Sequence, residues 1–149
     1  RFRAVGEFKN PAYKQSVMRL VAELGLAECV DWVGFVHDVD AQFARCDVFV
    51  LPSLYGEGLP MVVLEAMRNG VPVVATRVEG IPDAIPSDQF GQLVDAGDAE
   101  QIAQAIQRYI DDPDYRDRVS EQARLRQAQV LSADNMVSGL ASIYAAVGD

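Results

Sequence analysis

Two glutamates, Glu57 and Glu65, are the residues whose type and spacing best suit them to chemistry. Glu57 stands between Gly56 and Gly58 in a loop, and Glu65 follows within an apolar run, in the pattern E-x7-E. A carboxylate in an apolar helix is unfavourable unless it has a partner. We therefore interpret both acids as acceptors of hydrogen bonds from the hydroxyls of a polyol. The alternative for Glu65 is a solvated helix face.

The stretch that holds these acids predicts a strand, a loop, a helix and a second strand. Residues 47–51 form a short apolar run that is typical of a strand buried on both faces. Pro60 suits the first turn of the helix, Asn69-Gly70 ends it, and residues 71–75 form the second buried strand. A βαβ unit with a glycine loop at the helix N-terminus predicts an anion pocket at the carboxyl end of a parallel sheet.

Strands alternate with helices over the rest of the chain, which predicts an α/β fold with a parallel sheet covered on both faces. The other predicted strands are residues 2–5, 30–35 and 91–94. Residues 77–83 are predicted to form a second glycine-proline loop beside the first. The predicted helices are residues 11–24, 39–45, 61–68, 99–112, 113–129 and 132–147.

The C-terminal helix carries a strong apolar stripe for a terminal element. We expect this helix to pack on the core of its own domain, with at most a modest part of its apolar face exposed. Any exposed remainder would be a surface for self-association. The stripe consists of Met136, Val137, Leu140, Ile143, Tyr144 and Val147.

Composition limits the classes of function. The 149 residues suit one domain, and a net charge of −9 argues against nonspecific nucleic-acid binding. Cys29 and Cys46 follow no metal-ligand spacing, and His37 is the single histidine. No apolar run approaches the roughly 20 residues of a membrane span. Because the first residues resemble a strand already under way, we expect the chain to be a fragment of a longer protein.

Residues 52–76, PSLYGEGLPMVVLEAMRNGVPVVAT, resemble the signature of the family 4 glycosyltransferases of the GT-B fold. The shared features are Pro-Ser, Glu-Gly after a short spacer, an apolar helix, Glu-Ala-Met and Gly-x-Pro-Val. The resemblance continues at residues 33–35, 45–48, 80–82 and 91–94, so it covers nearly the whole chain. It is specific because the motifs occur in this order and context.

The resemblance implies a doubly wound parallel sheet with helices on both faces, the Rossmann-like C-terminal half of GT-B. Residues 1–149 would be a single sugar-nucleotide-binding domain that lacks the N-terminal acceptor domain and its own first strand. The full-length protein would be a retaining glycosyltransferase of the hexosyltransferase type. It would move a sugar from a UDP- or GDP-sugar to an acceptor hydroxyl in polysaccharide, glycolipid or glycoconjugate synthesis.

The same resemblance implies no cofactor, no bound metal and no nucleic-acid partner. The partners would be the nucleotide-sugar donor and the N-terminal domain of the same protein. The location would be cytoplasmic, with any contact at the inner face of the membrane made through the missing part. The isolated chain would be inactive.

Site residues follow from the resemblance one by one. Glu57 would contact hydroxyls of the transferred sugar near the reacting carbon, and Glu65 would accept hydrogen bonds from the ribose hydroxyls. The alternative for Glu57 is a carboxylate that only stabilises the helix dipole. The backbone N–H groups expected to face the sugar and the phosphates are those of Gly58, Leu59, Met61 and Val62. The base is expected to pack against the loop of Phe35, Val36 and His37, unless Phe35 is core and His37 is solvated.

The chain departs from the family pattern at Glu79, where the family often has glycine, and at Asp83, where it has glutamate. We expect Glu79 to point away from the diphosphate or to contact a sugar hydroxyl. The family's Arg and Lys phosphate clamp has no match in residues 1–14. Two alternatives stay open, half of a sugar-nucleotide epimerase and a noncatalytic Rossmann-like module. The epimerase would need further acids and histidines that this chain does not supply.

Overall fold

The computed structural model describes residues 1–56 and 58–147, in which parallel strands alternate with helices. Its contacts divide the chain into two compact units, residues 1–39 and residues 40–149. The predicted α/β architecture with parallel strands is confirmed, and the strands of the described residues fall into one two-stranded and one three-stranded sheet.

The first unit is a β–α–β arrangement of parallel strands. Asn10 begins the first helix as predicted, because its side-chain oxygen accepts hydrogen bonds from the N–H groups of Ala12 (2.9 Å) and Tyr13 (3.1 Å). The two strands pair with Phe2 opposite Val30. The elements are β1 (Phe2–Val5), α1 (Pro11–Glu23), a short 3-10 helix (Ala27–Cys29) and β2 (Val30–Gly34).

The second unit holds the three-stranded sheet. Its elements are α2 (Asp40–Phe43), β3 (Phe49–Leu51), α3 (Met61–Arg68), β4 (Val73–Thr76), α4 (Ile81–Ala84), β5 (Gln92–Val94), α5 (Ala99–Asp111), α6 (Pro113–Gln129) and α7 (Ala133–Val147). The strands lie in the order β3-β4-β5, all parallel, with Phe49 opposite Val73 and Val74 opposite Gln92. This confirms the prediction that the strands on either side of the Glu65 helix are parallel neighbours. The prediction that the first of them is buried on both faces is wrong, because β3 is an edge strand of this sheet and its residues are half-buried.

Strand β4 lies at the centre of the core of the second unit, and all four of its residues are buried. The buried cluster around it joins β4, β5, α5 and α6 through Val74, Val94, Ala105, Tyr109 and Val119. The Tyr109 hydroxyl donates to the carbonyl oxygen of Val73 at 3.3 Å, and burial raises the pKa of this phenol. A buried hydroxyl is thereby satisfied, as a well-packed interior requires.

Residues 77–83, predicted as a loop, include the start of the short helix α4. A contact from a distant part of the sequence supports the end of this helix. The Arg126 guanidinium of α6 donates to the carbonyl oxygens of Asp83 (2.8 Å) and Ala84 (2.9 Å). It thus satisfies carbonyl groups at the end of the helical turn that have no partner within it.

The packing predicted for the C-terminal helix is wrong. Helix α7 forms at the predicted position, but every side chain from 133 to 146 is exposed. The exposed fractions of its apolar stripe are 63% for Met136, 61% for Val137, 48% for Leu140, 61% for Ile143 and 76% for Tyr144. An apolar stripe shows that a helix face favours burial, but it does not specify which surface covers that face.

Candidate functional site

Two loops follow the carboxyl ends of the neighbouring strands β3 and β4. Residues 52–60 join β3 to α3, and residues 77–80 join β4 to α4. Because β3 and β4 pair in parallel, both loops start from the same edge of the sheet. The predicted catalytic residue Glu57 falls within the first loop but lies outside the described residues, so its role stays a prediction.

Thr76 fixes the start of the first loop, and the sequence analysis did not single it out. Its fully buried hydroxyl donates to the carbonyl oxygen of Ser53 at 2.6 Å. Thr76 is the one polar residue of β4, VVAT, and a buried hydroxyl needs a partner. A polar residue at the end of an apolar strand could therefore have indicated this contact from the sequence.

Glu79 contacts the first loop from the second. Its Oε1 accepts a hydrogen bond of 3.0 Å from the backbone N–H of Gly56. Its backbone is in the left-handed region, with φ of 42°, which disfavours residues other than glycine by roughly 1–2 kcal/mol. The sequence predicted that Glu79 points away from the diphosphate or contacts a sugar hydroxyl. In the structure, its carboxylate bonds to the neighbouring loop.

Gly80 makes a second close contact between the two loops. A Cβ atom at this position would lie 2.3 Å from the carbonyl oxygen of Gly58 and 3.2 Å from the backbone nitrogen of Leu59. Only glycine allows the two backbones to approach this closely. The second loop therefore contacts the first on both sides of position 57, at Gly56 and at Gly58.

Helix α3 presents Glu65 on its accessible side. The opposite side buries Val63, Leu64, Ala66 and Met67 against the domain, whereas Glu65 is half-buried and Met61, one turn earlier, is 66% exposed. Glu65 stands between the buried side chains of Leu64 and Ala66. A half-buried position fits both a carboxylate that binds a polyol and a solvated helix face, so both interpretations stay predictions.

The N-terminus of α3 offers backbone donors. Pro60 is the N-cap residue, with φ of −70° and ψ of 120°, and so precedes the first turn in which it was predicted. The first N–H groups of a helix have no partner within it. Among the predicted donors, Gly58, Leu59 and Met61 are exposed and Val62 is half-buried. These groups and the helix dipole favour an anion at this end.

The opposite end of α3 is fixed by Asp40. The Arg68 guanidinium donates to the Asp40 carboxylate at 2.6 Å, and the Asn69 side-chain amide donates to it at 2.9 Å. The hydrogen bond from Asn69 and that from Arg68 hold the pKa of this exposed carboxyl below its usual value. Asp40 thus joins the start of α2 to the end of the helix that carries Glu65.

The three residues predicted to contact the base follow β2 in the first unit. Phe35 and His37 form an edge-to-face ring pair with centroids 4.9 Å apart. Phe35 is 65% exposed, His37 is exposed and Val36 is half-buried. One alternative was that Phe35 belongs to the core and His37 is solvated. Its first part is wrong, because Phe35 is exposed, and its second part is found, because His37 is exposed too.

Within residues 1–56 and 58–147, His, Cys, Asp and Glu side chains form no group of three or more that could hold a metal ion. In the same part of the chain, none of the helices has the length and hydropathy needed to cross a membrane.

The family model described as "Glycosyl transferases group 1" matches residues 1–126. This chain belongs to the group 1 glycosyltransferase family. A curated relative is the MMP alpha-(1->4)-mannosyltransferase of Mycolicibacterium hassiacum, which is 30% identical over 129 residues, 85% of this chain and 31% of the relative. The chain spans between 25% and 34% of the length of the first curated relatives that it matches.

Solved structures of glycosyltransferases share the fold of this group 1 domain. Anabaena HepE in complex with UDP has a TM-score of 0.91 and 25% identity, covering 97% of this chain and 40% of HepE. HepE has also been solved with UDP-glucose. The C-terminal domain of the group 1 protein LpcC from Francisella tularensis has a TM-score of 0.78 and 19% identity, covering 89% of this chain and 85% of that domain.

Proposed function

We propose that residues 1–149 are the donor-nucleotide-binding, C-terminal domain of a two-domain retaining glycosyltransferase of family 4. The observation that carries this proposal is the pair of touching loops at the carboxyl edge of β3 and β4, beside the N-terminus of α3, in a chain of this family. The complexes of HepE with UDP and UDP-glucose support a nucleotide-sugar as the donor. A UDP- or GDP-sugar is the proposed donor class.

The donor would lie along the N-terminal half of α3. The accessible carboxylate of Glu65 would accept hydrogen bonds from the two ribose hydroxyls, which are good donors to a charged acceptor. The backbone N–H groups of Gly58, Leu59, Met61 and Val62 would face the phosphates and the sugar. The base would pack against the loop of residues 35–37.

The reaction would break the bond between the sugar and the diphosphate and form a bond to an acceptor hydroxyl. Negative charge grows on the leaving diphosphate, so groups that stabilise it there lower the barrier. The N-terminus of α3 would supply part of that stabilisation through its free N–H groups and its dipole. Glu57 would contact hydroxyls of the sugar at the reacting carbon. No metal and no cofactor enter the proposed reaction.

The N-terminal domain of the full-length protein would bind the acceptor, and an Arg and a Lys placed before β1 would complete the phosphate site. Residues 1–149 alone would therefore be inactive. The proposed pathway class is polysaccharide, glycolipid or glycoconjugate synthesis. The proposed location is cytoplasmic, with any contact at the inner membrane face made by the N-terminal domain.

A transfer assay with the full-length protein tests the function. A panel of UDP- and GDP-sugars is incubated with candidate acceptors, and the released nucleoside diphosphate and the glycosylated product are quantified. The anomeric configuration of the product, read by NMR, tests retention. Glu57→Gln should lose turnover, whereas Glu100→Gln, which changes an exposed glutamate of α5, should not. Epimerised donor without transfer would favour the epimerase, and the absence of any nucleotide binding would favour the noncatalytic module.

A further inference from the structure

We propose that Glu79 is a positioning residue that orders the first loop at Gly56. Its carboxylate acts through the backbone N–H of Gly56, the residue immediately before Glu57. The part of this inference that concerns turnover rests on the proposed function, whereas the part that concerns the loop does not.

The contacts of the second loop lie on both sides of position 57. Glu79 accepts the hydrogen bond from Gly56, and Gly80 lies against the backbone of Gly58 and Leu59. The second loop therefore contacts the residues immediately before and after position 57. Glu79 makes the polar contact. Gly80 makes the steric contact, and any residue with a Cβ atom at this position would force the backbone to move.

The backbone of Glu79 indicates that this contact offsets a local strain. Left-handed backbone is unfavourable for glutamate and unstrained for glycine. A non-glycine residue persists in such a conformation when its surroundings determine it, and such residues cluster at functional sites. Here the surroundings include the hydrogen bond from Gly56, which is charge-assisted because the acceptor is a carboxylate.

The other end of the second loop is anchored as well. Arg126 of α6 donates to the backbone of Asp83 and Ala84, at the end of the helix that begins directly after Gly80. Glu79 therefore connects the first loop, through Gly56, to a segment that Arg126 attaches to the long helix α6. Through these hydrogen bonds, the first loop is connected to helix α6 of the second unit.

Hydrogen–deuterium exchange of the full-length protein tests the loop, with mass spectrometry of a peptide that covers residues 54–60. Glu79→Ala keeps the Cβ atom and the strain but removes the acceptor, so exchange at Gly56 should accelerate roughly three- to tenfold. Glu79→Gln keeps an acceptor oxygen and should stay within about twofold of the wild type. Glu79→Gly relieves the strain but also removes the acceptor, so this loop should exchange faster although the melting temperature is unchanged or higher. Glu100→Ala is the control for loss of one exposed glutamate.

Turnover gives the second readout. In the transfer assay, Glu79→Ala should lower kcat several-fold with a small change in the KM of the donor, and Glu79→Gln should restore most of kcat. Unchanged exchange at Gly56 in Glu79→Ala, or equal acceleration in Glu79→Gln, would overturn the proposed positioning. A full-length wild type that transfers no sugar would refute the proposed function instead, and the exchange experiment would still decide whether Glu79 orders the loop.

Discussion

The contact at Gly80 gives the most quantitative prediction. In Gly80→Ala, the added Cβ atom would lie 2.3 Å from the carbonyl oxygen of Gly58, whereas ordinary contact begins at 3.4 Å. The obstructing atoms belong to backbone, so one of the two loops must move by about 1 Å. Overpacking of this kind destabilises by about 1–3 kcal/mol, and the lower chain entropy of alanine in the unfolded state offsets about 0.4–1 kcal/mol.

The central values give a net loss of about 1.3 kcal/mol, or a melting temperature lower by about 3–5 °C for a domain of this size. Thermal unfolding followed by circular dichroism measures it. Gly139→Ala is the control, since a Cβ atom there meets nothing within 4 Å and alanine favours the helix α7. If Gly80→Ala were as stable as the wild type, the close approach of the two loops would be refuted.

Three other changes test separate parts of the account. Glu65→Ala should weaken binding of the nucleoside diphosphate by about 1.5–3 kcal/mol in calorimetry, because a charge-assisted hydrogen bond to the ribose is lost; unchanged affinity would refute the ribose assignment. Asp40→Asn should lower the free energy of unfolding, measured in urea, above about pH 4. The difference from the wild type should vanish as the pH falls through the depressed pKa of Asp40, because the protonated carboxyl no longer gains from the contacts with Asn69 and Arg68. Tyr109→Phe should destabilise the second unit by about 1 kcal/mol in the same unfolding assay, since a buried carbonyl of β4 loses its donor; equal stability would show that this bond contributes nothing.

Local signals predicted the elements that hold the site. Two short apolar runs bounded by turn residues, 47–51 and 71–75, were predicted to be strands. The first run contains β3, and β4 begins in the second run and ends one residue beyond it. The Asn69-Gly70 pair ends α3 as predicted, with Gly70 in the left-handed region. These features depend on neighbouring residues, which is why the sequence alone reveals them.

Contacts between distant residues could not be predicted in this way. Glu79 bonds to Gly56 across 23 positions, and Arg126 bonds to Asp83 and Ala84 across more than 40. Both depend on how loops and helices meet in space. The wrong packing prediction for α7 has a related cause, since periodicity gives the apolar face of a helix but not the surface that covers it.

Calorimetric titration of the full-length protein with UDP, GDP and their sugar conjugates tests the central claim most directly. We predict saturable one-to-one binding of one nucleotide series, an affinity that depends on the attached sugar, and weaker binding in Glu65→Ala but not in Glu100→Ala. No binding of any nucleotide-sugar, or binding that is identical in Glu65→Ala, would contradict the account of this domain as the donor-nucleotide site.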